Sequence, residues 1–204
     1  MAASQAGEPG AFDDLVREYR PRVIALALHI TGSASDADDV AQEVFLRAFH
    51  HMGQFAGRSQ FFTWLYRIAL NQALNNRRRG HERRYHLDDD RVQAAVAVDA
   101  AGDPRLALEL QETYGLLLQG LDALSEKLRA TVVLVALQGL SYQEAAVVLE
   151  TTEGTIAWRL NEARQQLRTT IERLERRPAA AREAVPVGLR ELMRRLPRML
   201  PDLA

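Results

Sequence analysis

The stretch Leu140-Ser-Tyr-Gln-Glu-Ala-Ala-Val-Val-Leu-Glu-Thr-Thr-Glu-Gly-Thr-Ile-Ala-Trp-Arg-Leu-Asn-Glu-Ala-Arg164 decides the fold. Ser141, with Glu144 three residues on, is a capping box, in which each side chain satisfies the other residue's backbone N–H at a helix start. Gly139, just before it, is where a helix begun at Ser125 is expected to end, because the left-handed position past a helix favours glycine. Thr151-Thr152 makes a turn. Ile156, Leu160, Ala163, Leu167, Ile171 and Leu174 then recur by threes and fours, the apolar stripe of one long helix. A short capped helix, a tight turn and a longer helix make a helix-turn-helix.

In that motif the second helix lies in the major groove and its first residues meet base edges. Here those residues are Thr152, Glu153, Thr155, Ala157, Trp158 and Arg159. Along the helix and its extension, Arg159, Arg164, Arg168, Arg173, Arg176 and Arg177 outnumber Glu162, Glu172 and Glu175. Arginines bond guanine bidentately or neutralise phosphates, so the pattern suits DNA. The plainer alternative is a helical hairpin with a solvated charged face.

Upstream, Asp103-Pro104 reads as an N-cap with proline at the first helical position. Leu110, Tyr114, Leu117 and Leu121 form a stripe after it. The stretch 81–103, with Asp88-Asp89-Asp90 and Gly102, has no sustained stripe and reads as a linker. Before it lies a second helical segment. Phe12, Leu15, Val16, Tyr19 and Val23 keep helical spacing, and Pro21 is expected to kink or break that helix. Thr31-Gly32-Ser33 ends it, and Ser35 with Asp38 suggests the next capped start. The following helix turns Val40, Ala41, Val44, Phe45, Ala48 and Met52 inward, and Asp39, Gln42, Glu43 and Arg47 outward. A loop over Gly53 to Ser59 leads to a third helix, Gln60 to Arg78, with Phe61, Leu65, Ile68 and Ala69 as its stripe. No segment favours strands. The expected fold is all-α, with two small helical domains (11–80 and 104–177) joined by a flexible linker, the second holding the helix-turn-helix.

The third helix carries the other functional signal. Phe61, Phe62, Trp64 and Tyr66 cluster ahead of Asn71, Asn75, Asn76 and Arg77-Arg78-Arg79. Aromatic rings stack on unpaired bases, amides bond base edges and arginines hold the backbone. Core packing for Phe61 and Leu65, and a dipole role for the three arginines at a helix C-terminus, is the competing account.

Bulk composition sets the frame. The 204 residues are 47% hydrophobic and 26% charged, which fits a globular chain of one or two small domains. No apolar run nears the roughly 20 residues needed to span a bilayer. The start, Met1 to Gly10, lacks the basic and apolar parts of a secretory signal. Cysteine is absent, which excludes disulfides and thiolate metal sites and fits a reducing cytoplasm. The net charge of −1 means that any basic surface must be local.

Taken together the two segments resemble a family, the bacterial RNA polymerase sigma factors of the extracytoplasmic-function (ECF) type. Asp36-Ala-Asp-Asp-Val-Ala-Gln-Glu-Val-Phe-Leu-Arg-Ala-Phe49 is similar to their polymerase-binding helix. Phe62-Thr-Trp-Leu-Tyr-Arg-Ile-Ala-Leu-Asn71 resembles their promoter-melting segment. Leu124-Ser-Glu-Lys-Leu-Arg129, Gly139 to Ala146 and Gly154 to Arg164 resemble their last domain. The likeness covers about Phe12 to Leu174.

The resemblance implies an alternative sigma factor that binds core polymerase at the β′ clamp and β flap and directs initiation at promoter DNA. It implies that Asp39, Gln42, Glu43 and Arg47 contact the clamp. It places Phe55, Arg58, Gln60, Trp64, Asn71, Asn75, Arg77 and Arg78 at the −10 element. It places Ser141, Thr152, Thr155, Trp158, Arg159 and Arg164 at the −35 element. An anti-sigma factor that covers the polymerase-binding surfaces is a further implied partner, and the implied location is the cytoplasm, at the nucleoid when active. The chain departs from the family pattern in two places. Glu150 stands where glycine is common, at about 1–2 kcal/mol if that position is left-handed. Ala157-Trp158 replaces a basic or small polar pair.

Other polar residues suggest no chemistry. His50 and His51 are adjacent and point to different faces, and His81 and His86 flank or enter the linker. No metal site, cofactor, small-molecule substrate or catalytic constellation is expected. A helix-turn-helix regulator independent of polymerase would not need the third-helix pattern, and an enzyme of nucleic-acid metabolism would need a nucleophile–base pair. The tail, 178–204, places Leu189, Leu192, Met193, Leu196, Met199, Leu200 and Leu203 at helical spacing among Arg190, Arg194, Arg195 and Arg198, with a kink or new start expected at Pro197. It reads as an amphipathic extension that docks on a protein groove. A membrane surface is the alternative.

Overall fold

The computed structural model describes residues 10–55, 60–80 and 118–175, and the regular structure among them is all helical. The linker, the stripe at Leu110, Tyr114 and Leu117, and the tail lie outside the described residues, as do Arg58, His81 and His86. Among the described residues, no helix is long and apolar enough to cross a membrane. The chain divides into two compact units.

The first unit begins with α1, Ala11–Thr31, followed by α2, Ala34–His51, a 3-10 turn at Met52–Gln54, and α3, Phe61–Gly80. Each of the three helices packs on the other two. Leu26, Ile30, Val40, Val44 and Leu65 are among its most deeply buried side chains. Each such burial stabilises by about 1.5–3 kcal/mol. All six residues expected to face inward are buried: Val40, Ala41, Val44, Phe45 and Ala48 of α2, and Met52 of the 3-10 turn after it. In α3, Phe61, Leu65 and Ala69 are buried as expected, Ile68 is half-buried, and Tyr66, Leu70 and Ala73 widen the stripe.

One expectation is corrected, and of the two outcomes expected at Pro21 the break is excluded. Pro21 does not break α1, which runs through it unbroken. Proline removes one N–H, which leaves the Arg17 carbonyl without its helical donor. Arg17 and Pro21 are both exposed, so the missing bond falls on the outer side of the helix, where solvation lowers its cost. The cap of α2 is Ser33, not Ser35: the Ser33 hydroxyl accepts from the Asp36 N–H at 3.2 Å. The start moves because Gly32 takes the left-handed conformation (φ 71°) and donates to the Leu28 carbonyl at 2.7 Å. Thr31 Oγ1 then donates to the Ser33 carbonyl at 3.1 Å and fixes the extended residue between the helices.

In the second unit, the segment 118–122 ends one helix. Helix α4, Glu126–Val132, continues into a π turn at Val133–Leu137. Helices α5, Tyr142–Val148, and α6, Glu153–Glu175, follow. Ser125 is the N-cap position of α4, as expected, but makes no side-chain cap. Gly139 is left-handed (φ 75°), and the chain closes there with the Leu140 N–H on the Leu134 carbonyl at 3.0 Å. Leu121, Leu134, Ile156, Leu160 and Leu167 are fully buried.

The π turn sits on an apolar run interrupted by Arg129, and Arg129 is only 4% exposed. Its guanidinium donates to the carbonyls of Leu121 at 2.7 Å, Leu124 at 3.0 Å and Asp122 at 3.2 Å. Those carbonyls belong to the end of the preceding helix and its turn, where intrahelical donors have run out. A planar five-donor fork is suited to serve them together.

Glu150 has φ 50°, the one left-handed non-glycine residue among those described. Replacing it with glycine removes about 1–2 kcal/mol of backbone strain and adds a smaller unfolded-state entropy cost. Glu150→Gly is therefore expected to raise the stability of the fold by about 0.5–1 kcal/mol. Urea unfolding of the two chains checks this. An unchanged or lowered midpoint would mean that the glutamate side chain makes up the difference.

Candidate functional site

Three surfaces carry the residues singled out in the sequence. The first is the outer face of α2. At 100° per residue, Asp39, Gln42, Glu43, Leu46, Arg47 and Phe49 lie on the side opposite the buried set. Arg47 donates to Glu43 at 2.8 Å, one turn apart. Leu46 and Phe49 are 50% and 60% exposed, and Phe49 meets Phe12 of α1 edge-on at 5.2 Å. These two apolar side chains were missed in the sequence. The signal was present: at positions 46 and 49 the apolar pattern of α2 runs beyond the core face.

The second surface is on α3. Spacing puts Trp64, Asn71, Asn75 and Arg78 in one stripe. Trp64 is half-buried, while Asn71, Asn75 and Arg78 are exposed. The Trp64 ring lies 5.3 Å from Phe55 and 5.6 Å from Phe61, so one indole face is packed. Phe61 also meets Tyr19 at 5.5 Å. The aromatic cluster thus divides: Phe61 and Tyr66 are core, and Phe62 and Trp64 reach the surface. Burial raises the pKa of the Tyr66 phenol. Gln60 is exposed, and its carbonyl accepts the first N–H groups of α3, from Thr63 at 3.1 Å and Trp64 at 3.3 Å. Arg77 falls off the stripe and donates to the Ile30 carbonyl of α1 at 3.0 Å. It ties the ends of two helices, where a cation also suits their dipoles.

The third surface is the helix-turn-helix. Ser141 and Glu144 form the expected reciprocal box: the Ser141 N–H and hydroxyl both donate to Glu144 Oε2 at 2.8 Å, and Ser141 Oγ accepts from the Glu144 N–H at 3.2 Å. Thr152 caps α6 by accepting from the Thr155 N–H at 3.2 Å, and the two threonine hydroxyls bond each other at 2.9 Å. Trp158 stands out at 62% exposed, while Arg159 and Arg164 are half-buried. Burial raises the pKa of the Tyr142 phenol, and the charge of Arg164 opposes that shift. The expected positive excess does not hold for α6 itself. Within Glu153–Glu175, Arg159, Arg164, Arg168 and Arg173 are balanced by Glu153, Glu162, Glu172 and Glu175. The excess rests on Arg176 and Arg177, outside the described residues.

A three-helix unit with aromatic, amide and basic side chains on one stripe, followed by a helix-turn-helix unit, defines a helical DNA-binding protein. The Sigma-70 region 2 family matches residues 15–84, and the Sigma-70, region 4 family matches residues 114–167. The chain is 35% identical to the RNA polymerase sigma-H factor of Pseudomonas aeruginosa, over 84% of this chain and 92% of the relative. It is 33% identical to the ECF RNA polymerase sigma-E factor of Escherichia coli, over 85% of this chain and 93% of the relative. Its fold is similar to that of CnrH, solved in complex with the cytosolic domain of CnrY (TM-score 0.62, 27% identity, 84% of this chain and 94% of that one). The fold also matches that of a sigma factor from Bartonella quintana solved with the anti-sigma factor NepR (TM-score 0.59, 24% identity, 80% of this chain and 98% of that one).

The chain belongs to the ECF family of RNA polymerase sigma factors. It is an alternative sigma factor, which directs core RNA polymerase to promoters and to transcription initiation.

Proposed function

We propose that the three surfaces divide the work of initiation. A domain at 11–80 binds polymerase and opens the −10 element, and a domain at 104–177 binds the −35 element. The linker 81–103 joins them, and the tail 178–204 docks on a protein groove. Asp39, Gln42, Glu43 and Arg47 contact the β′ clamp, with Leu46 and Phe49 as the apolar part of that contact. Exposed large apolar side chains among polar ones are the usual make-up of a protein interface. Trp64, Asn71, Asn75 and Arg78 face the melted −10 strand, with Phe55, Arg58 and Gln60 beside them. Arg77 acts by holding α3 to α1. Thr155, Trp158, Arg159 and Arg164 face the −35 element, and Ser141 and Thr152 fix the starts of its two helices.

The same face of α2 suits an anti-sigma factor that keeps polymerase away. CnrH, a structural relative, was solved with a protein partner, the cytosolic domain of CnrY, which supports this reading. The chain acts in the cytoplasm, where its polymerase works, and polymerase supplies all of the chemistry.

The α3 stripe carries this reading, since one half-buried indole and two exposed amides in register suit unpaired bases. Trp64→Ala is expected to lower promoter opening by about 1–3 kcal/mol, the worth of one stacked base, and to leave polymerase affinity unchanged. Permanganate footprinting on duplex and pre-melted promoters checks it. Loss on duplex with recovery on the pre-melted template is expected. Equal loss on both would assign Trp64 to packing against Phe55 and Phe61 alone.

A further inference from the structure

Among the described residues, Trp158 is the most exposed large apolar side chain, and it lies in the second turn of α6. Its surroundings leave it standing outward. A helical side chain leans over the preceding turn. That turn holds Gly154, where an added Cβ would meet nothing closer than Thr152 Oγ1 at 4.0 Å. The other early residues of α6 offer little reach. The Thr155 hydroxyl is engaged with Thr152, and Ala157 ends in a methyl group. Of the first six residues, only Glu153 and Trp158 carry long exposed side chains. Glu153 is repelled by phosphate. With α6 electrically balanced, binding there cannot rest on charge alone.

We infer that Trp158 reads the 5-methyl group of a thymine in the −35 element. This rests on the proposed docking of α6 in the major groove. There, the thymine methyl is the one apolar group that a base pair presents, and apolar side chains recognise it by contact. An indole donates one N–H and accepts nothing, so its discrimination in the groove is mainly apolar.

The test uses a promoter fragment recovered by transcribing genomic DNA with core polymerase and this chain. Each thymine of its −35 element, on either strand, is replaced in turn by deoxyuridine, which removes only the methyl group. Open-complex formation is measured with the wild-type chain and with Trp158→Ala. At one thymine the wild-type chain is expected to lose about fourfold, the worth of one buried methyl. Trp158→Ala is expected to be insensitive to the same replacement. A wild-type chain indifferent to every deoxyuridine, an element without thymine, or a methyl dependence that survives in Trp158→Ala would each overturn the inference. Scrambling the whole −35 element tests the docking separately. If scrambling has no effect, the docking of α6 falls and the inference falls with it.

Discussion

Arg129→Ala is expected to unfold most of the second unit while leaving the first intact. The guanidinium is buried and serves the carbonyls of Leu121, Asp122 and Leu124. Truncation leaves buried acceptors without donors, at about 1–3 kcal/mol for each group. Breaking such a buried charged network costs about 3–5 kcal/mol in all, comparable to the whole stability of a small domain. Arg129→Lys is expected to recover only part of the loss, because an ammonium cannot fork to carbonyls in different directions. Hydrogen exchange read separately over α1–α3 and α4–α6 checks this. Protection should collapse in α4–α6 alone. Retained protection there would show that water replaces the guanidinium.

Acid should act on the other unit. His29, in the last turn of α1, is 7% exposed, and burial lowers its pKa from 6.5 to about 4. Burial penalises the charged ring, so the folded state holds it neutral. Above pH 6.5 the ring is neutral in both states and contributes no pH dependence. As pH falls from 6.5 towards 4, the unfolded chain takes up the proton and the folded chain does not, so stability is lost across that window. The loss reaches about 2 kcal/mol near pH 5 and about 3 kcal/mol near pH 4. Trp64, half-buried in this unit, reports its unfolding in a Trp158→Phe background. His29→Asn should flatten the decline between pH 6.5 and 5. An equal slope in both chains would assign the acid sensitivity to carboxylates.

Periodicity made most of this fold legible. The buried face of α2 followed from spacing alone, because Val40, Ala41, Val44, Phe45 and Ala48 repeat against Asp39, Gln42, Glu43 and Arg47. The helix-turn-helix followed from the Ser141–Glu144 box and the stripe of α6. What failed was local. Ser33 and Ser35 are both capping residues by type, and the left-handed turn at Gly32 selects Ser33. Pro21 reads as a kink or a break, yet α1 continues through it with Arg17 and Pro21 on its exposed side. The role of Arg129 was not read from the sequence, although its place in the run Leu128 to Ala136 signals a buried, satisfied cation. The basic excess lies in Arg176 and Arg177 beyond α6, because Glu153 balances the helix itself. At the interfaces, the residue types were legible and their division of labour was not. Arg77 and Arg78 are neighbours in sequence, yet one fastens α3 to α1 and the other lies on the exposed stripe.

The central claim is that this chain gives core polymerase a promoter specificity of its own. Sequencing of transcript 5′ ends made in vitro by core RNA polymerase on genomic DNA, with and without the chain, tests it most directly. Starts that depend on the chain and share one pair of upstream elements at −35 and −10 are expected. Transcripts with the same starts in both reactions would contradict it.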